Sequence, residues 1–126
     1  MLMTNVVVKI DADGTAVCGE TRTRNIDRRL RTMLYRGGDK AIPQNVWLDN
    51  GLLDDGDKRV VLVVDDAAGH EPVNEAATKL VAKFSKLGDR LKIHGNAVVI
   101  ARRDFQYVSL TGEQTARVLA AIREGE

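Results

Sequence analysis

Residues 59–66 read Arg-Val-Val-Leu-Val-Val-Asp-Asp. Five apolar residues stand in a row, four of them β-branched, and charge closes the run at both ends. A run this short does not fill a helix, and without polar alternation it reads as a buried central strand. Upstream, residues 42–48 contain Pro43, which has no N–H for a ladder, so the segment is an edge strand or a loop. Between the two, Asn50-Gly51 and Asp55-Gly56 are turn signals inside a polar loop. Downstream, residues 67–72 form a connector to a helix whose apolar set is Val73, Ala76, Ala77, Leu80, Val81, Phe84 and Leu87. Lys79, Lys83 and Lys86 share its opposite face, and Gly88 marks its stop.

The C-terminal third reads as strands over residues 91–93, 97–101 and 105–108, with His94-Gly95-Asn96 and Arg102-Arg103-Asp104 turning the chain between them. Thr111, with Gln114 three residues on, is a capping box opening a last helix, and Val118, Leu119 and Ile122 give that helix its apolar face. At the other end, residues 5–11 form a β-branched run that stops at Asp11-Ala12-Asp13-Gly14, and residues 15–21 return as the second arm of a hairpin. Ile26, Leu30, Met33 and Leu34 mark one face of a helix over residues 26–36, with Asn25 as N-cap and Gly37-Gly38 as stop. The pattern predicts a single α+β domain over residues 1–126: a mixed, mostly antiparallel sheet with two or three helices on one face.

The 126 residues are 44% hydrophobic and 29% charged with net charge +1, which suits one globular domain and excludes wholesale disorder. No apolar stretch is long enough to span a bilayer, and the first residues lack a basic and apolar leader, so neither a membrane nor an export signal is expected. Cys18 is the only cysteine, which agrees with a reducing compartment. With 4% aromatic residues, a stacking platform for a single strand of nucleic acid is poorly supplied. The net charge conceals blocks of +4 over residues 20–46, −5 over 47–71 and +5 over 72–103. Blocks of this size serve self-association or present a basic face to an anionic partner.

Chemistry-bearing motifs are few. His70 and His94 are the only histidines, and there is no CxxC, HExxH, GxGxxG, GxxxxGK[ST] or GxSxG, so neither a metal nor a cofactor is expected. Asp65 and Asp66 end the central strand, and with His94 they would be the acids and base of a small enzyme if a pocket joined them. The arginines are the better signal. Arg28 and Arg31, three apart on one helix, and Arg102-Arg103 at a turn present planar forks suited to phosphate oxygens. His94 and Asn96 are the further polar candidates, and Trp47, the only tryptophan, is the candidate interface anchor.

Three stretches carry a resemblance: Glu71-Pro72-Val73-Asn74-Glu75-Ala76-Ala77-Thr78, then Ile93-His94-Gly95-Asn96-Ala97-Val98-Val99-Ile100, then Phe105-Gln106-Tyr107-Val108-Ser109-Leu110-Thr111-Gly112-Glu113-Gln114. Together they resemble an uncharacterised family of small bacteriophage and mobile-element proteins. That family's pattern has a P-x-N-x-A block, a strand beginning at Gly, and F-x-S-L-T-[DE]-x-Q opening a terminal helix. Here Ala101-Arg102 stands where the strand usually closes on Gly, and Gly112 where an acid is common. The resemblance implies an accessory protein of the bacterial cytoplasm and brings no catalytic residue. The expected function is therefore non-catalytic: binding of a host protein or a small anionic ligand, for instance to blunt host defence. A nucleic-acid module using the basic helix faces and the small enzyme above are the alternatives.

The alternating charge blocks predict a homo-oligomer, a dimer first of all, with Trp47 at the contact. Light scattering should give about twice the 13.8 kDa chain mass, and a monomer at high micromolar concentration would remove the idea.

Overall fold

The computed structural model describes residues 3–34, 41–48, 53–66, 68–69 and 71–124. The expected stop at Gly37-Gly38, the Asn50-Gly51 turn and His70 lie outside them. In chain order the elements are β1 (Met3–Ile10), β2 (Ala16–Thr23), α1 (Ile26–Leu34), β3 (Pro43–Trp47), β4 (Arg59–Asp65), α2 (Glu75–Phe84), β5 (Ala97–Arg103), β6 (Gln106–Val108) and α3 (Gly112–Glu124). The sheet runs β2-β1-β5-β4-β3, and β6 adds to β5. Among the described residues every strand pairing is antiparallel, and the domain is α+β. The apolar run of β4 is interior, and the Pro43 strand is the edge.

Helices cover both faces rather than one. Val8, Ile10, Val60, Leu62, Val64, Ala97 and Val99 pack with Leu80 and Val81 of α2 and Val118 and Ile122 of α3. Val7, Val61, Val63, Val98 and Ile100 face the other way and pack on Leu30 and Leu34 of α1. The reason lies in β4, which is apolar at successive positions and therefore exposes an apolar row on each side of the pleat. A helix on one face alone would leave Val61 and Val63 in water, at about 1.5–3 kcal/mol for each side chain.

Three further expectations are corrected. Residues 91–93 form no strand: a 3₁₀ turn at Gly88–Arg90 precedes them, and the only pairing there is an isolated bridge between Val73 and His94. The Lys79 helix ends at Phe84, where Ser85 N donates to Val81 O, so Leu87 falls outside it and is exposed. Arg102 and Arg103 are the last residues of β5 rather than a turn; Asp104 and Phe105 make the turn, with Asp104 at φ 55°.

Two buried side-chain amides tie these elements together. Asn74, fully buried, caps α2 by accepting from Ala77 N (3.1 Å) while its Nδ2 donates to Ile10 O (3.0 Å) and Gly95 O (2.9 Å). One side chain thus joins the end of β1, the start of α2 and the approach to β5. Gln114 does the same for α3. Its Oε1 accepts from Thr111 N and its Nε2 donates to Leu53 O and Lys58 O, while Thr111 Oγ1 accepts from Gln114 N. The expected capping box is present and extended across the chain. Asn74→Ala strands two buried carbonyls and an amide and should cost about 3 kcal/mol, against about 1 kcal/mol for Thr111→Ala, which loses one cap bond. Urea unfolding of the two variants checks the difference.

Candidate functional site

The sheet opens beside β6. β1 and β6 lie on the same edge of β5, β1 against Ala97, Val98 and Val99 and β6 against Ala101, Arg102 and Arg103. Ser109 and Leu110 fasten the two together, since Val6 N donates to Ser109 Oγ (2.8 Å) and Leu110 N to Val6 O (3.0 Å). Before Val6, β1 follows β2 and among the described residues has no strand partner on its other edge. The space between becomes a cleft of about 480 Å³, bounded by β1, β6 and the start of α1.

Each wall brings a distinct chemistry. Asn5 pairs with Thr21, and its side chain shares the α1 face with that of Val7. It is only 5% exposed, lines the cleft and makes no side-chain hydrogen bond among the described residues. The β2–α1 link supplies Arg24, and Asn25 caps α1 by accepting from Arg28 N at 3.1 Å. The first intrahelical bond runs from Arg29 N to Asn25 O, so the amides of Ile26 and Asp27 precede the helix ladder at the cleft wall. Lys58 enters from the strand β4 side and donates to Ser109 O at 3.3 Å. Arg103 pairs with exposed Asp57 at 3.1 Å, an ion pair that solvent screens. Three cations face one acid of the lining, Asp27. At the rim stands Phe105, 92% exposed on the strained two-residue turn.

The expected site residues divide. Arg103 lines the cleft, whereas Arg102 lies with its guanidinium 4.7 Å over the Tyr107 ring. Arg28 lines a shallow hollow with Arg24 and Arg29 that borders the cleft through Thr23, Arg24 and Asn25. Arg31 is exposed and lines neither. Arg24 is thus the residue that joins the two arginine groups. His94 and Asn96 stand at the opposite end of β5, roughly 20 Å away along a seven-residue strand. Asn96 accepts from Ala12 N at 3.0 Å and His94 Nδ1 meets Glu71 O at 2.9 Å, so both serve the chain's own turns. Trp47 is half-buried against the α1-face core with the Arg59 guanidinium 4.4 Å over its ring, an internal contact.

Asp65, Asp66 and His94 do share a hollow, of about 120 Å³. That is small beside the several hundred Å³ of ordinary substrate sites. Asp65 is also committed: its Oδ1 accepts from Ile42 N at 3.0 Å, which anchors β3. Among the described residues no cluster of three His, Cys, Asp or Glu side chains is placed to hold a metal, and no helix is long and apolar enough to cross a membrane. Sequence reading missed Asn5, Lys58 and Phe105 as site residues. An asparagine at a strand start and a phenylalanine beside a turn carry no local signal, because their meeting depends on a splay between strands a hundred residues apart.

No protein-family model matches the chain, and no curated protein matches it either. Among solved structures the chain is similar to the crystal structure of small RNA methyltransferase HEN1, with a TM-score of 0.60 at 13% sequence identity. The likeness covers 99% of this chain and 17% of that one, so this chain spans less than a fifth of that protein. At that identity the likeness is one of fold.

Tyr107 gives a titration test of the cleft wall. Burial raises its phenol pKa above the ordinary 10, with Asp27 adding to the shift and Arg102 and the hydrogen bond to Asn45 opposing it. The folded state therefore holds this proton more tightly than the unfolded chain, and stability falls as pH rises past 10. Absorbance titration should show a late-ionising tyrosine that Tyr107→Phe removes, and the variant's stability should fall less steeply above pH 10.

Proposed function

We propose that this chain is a non-catalytic binding protein that takes a small anionic ligand in the cleft between β1 and β6. The observation that carries the reading is the convergence of Arg24, Lys58 and Arg103 with the open amides of α1 around one cleft of ligand size. Arginine forks and a lysine on separate elements can grip an anion from several sides, which a row of arginines on one helix cannot. In the phage or mobile-element setting that the resemblance implies, such a protein would act in the bacterial cytoplasm by withdrawing an anionic molecule from the host. Binding of a host protein through the same rim, with Phe105 as anchor, is the form the reading takes if no small ligand is found.

A second reading, a nucleic-acid module, is favoured by one observation: the hollow of Arg24, Arg28 and Arg29 continues the cleft's basic wall onto the outer face of α1. The similar structure belongs to a small RNA methyltransferase, which agrees with that reading at the level of fold. The two readings differ in their response to salt. Phosphate-backbone binding falls by orders of magnitude between about 50 and 200 mM salt when several contacts are made, whereas a single small anion in a cleft loses far less.

Calorimetric titration with inorganic pyrophosphate tests the first reading. The wild-type chain should bind, and Arg24→Ala with Lys58→Ala should weaken binding at least tenfold, as two charge-assisted contacts are lost. Arg31→Ala should leave it unchanged. Equal affinity in the double variant would remove the cleft as the site.

A further inference from the structure

We propose that the anion is the phosphate of a nucleoside monophosphate, whose base lies on Phe105 and is read by Asn5. This rests on the anion-binding reading above and names its ligand. Two observations carry it beyond a bare anion. The first is Asn5. Asn5 is nineteen-twentieths buried as a residue and lines the cleft, and its amide makes no hydrogen bond among the described residues, so its donors and acceptor are left for water or a ligand. An amide presents one acceptor and two donors in a plane, the pattern that pairs with the edge of a nucleobase rather than with a phosphate, for which the acceptor would be wasted.

The second is Phe105. A phenylalanine 92% exposed at a hairpin tip gives up most of the stabilisation that burial would supply, and the turn that presents it holds Asp104 at φ 55°, a conformation that costs energy for a residue other than glycine. Phe105 is one of the residues that line the same cleft. Stacking of one base on one aromatic ring needs no extended platform, so the scarcity of aromatic residues in the chain does not argue against it. The phosphate then falls to the cations: Arg24 makes no hydrogen bond or ion pair among the described residues, and Lys58 and Arg103 hold only a carbonyl and a screened carboxylate. Asp27, the acid of the lining, faces a sugar hydroxyl better than a phosphate, which orders the ligand along the cleft with its phosphate away from that carboxylate.

The test compares whole and partial ligands by calorimetry: AMP, GMP, CMP and UMP against inorganic phosphate. At least one nucleotide should bind ten times tighter than phosphate. Phe105→Ala should weaken that nucleotide about tenfold and leave phosphate unchanged, and Asn5→Ala should reduce the spread among the four bases to about twofold. Circular dichroism checks that each variant is folded; if Asn5→Ala does not fold, the Phe105→Ala comparison decides alone. If phosphate binds as well as every nucleotide, or Phe105→Ala leaves the nucleotides unaffected, the nucleoside inference falls and the anion reading stands. If neither phosphate nor any nucleotide binds, both fall. A 5′-phosphorylated hexanucleotide binding more than tenfold tighter than its monophosphate would overturn the free nucleotide in favour of a strand.

Discussion

Asn74 is the residue on which the arrangement turns. β1 and β5 are paired over only three positions, Val8 with Val99, Lys9 with Val98 and Ile10 with Ala97. So short a ladder is weak by itself, and it is held at one end by the Asn74 amide, which bonds the carbonyls flanking it on both strands. At the other end Ser109 and Leu110 grip Val6. Between these two fastenings β1 is fixed, and before Val6 it is free to follow β2 away from β5. The cleft is the space that this divergence opens. A longer β1–β5 ladder would have closed it and buried Asn5 against a neighbouring strand.

The same geometry accounts for how charge is spread along the chain. Arg24 comes from the first basic block, Arg103 from the second, and Lys58 from within the acidic segment between them. Each of these blocks sends one cation to a common cleft, while Asp57 of the acidic block offsets Arg103. Arg59 and Arg102, directly opposite each other in the ladder, are accommodated by the aromatic faces of Trp47 and Tyr107 instead of by acids.

The sequence made legible what is local. The β4 run, the hairpin turn at Asp11 to Gly14, the Asn25 cap and the Thr111–Gln114 box are each set by residues within a few positions, and each is present. Segment 91–93 resembles a strand because Leu91 and Ile93 alternate with a lysine, while the partner that holds it, the Asn74 backbone that bonds Ile93 O, is distant in sequence. The covering of both faces follows from β4, yet the helix patterns alone do not say to which face each belongs. The stretches that resemble the phage family supply the fastenings: Asn74, Asn96, Ser109, Thr111 and Gln114 bond the chain to itself, and Gly95 takes φ 75°, which residues with a side chain rarely adopt. Of the candidate site, only the arginines could be found in advance, since Asn5 and Phe105 gain meaning through a pairing pattern that links the first residues to the last hundred.

Amide chemical-shift mapping with a nucleoside monophosphate locates the binding surface without assuming which residue matters. Shifts confined to residues 4–5, 23–27, 58 and 103–109, together with the Asn5 side-chain amide pair, are the result expected of a ligand seated between β1 and β6. Shifts centred on the hollow of Asp65, Asp66 and His94, with the Asn5 amide unmoved, would contradict it.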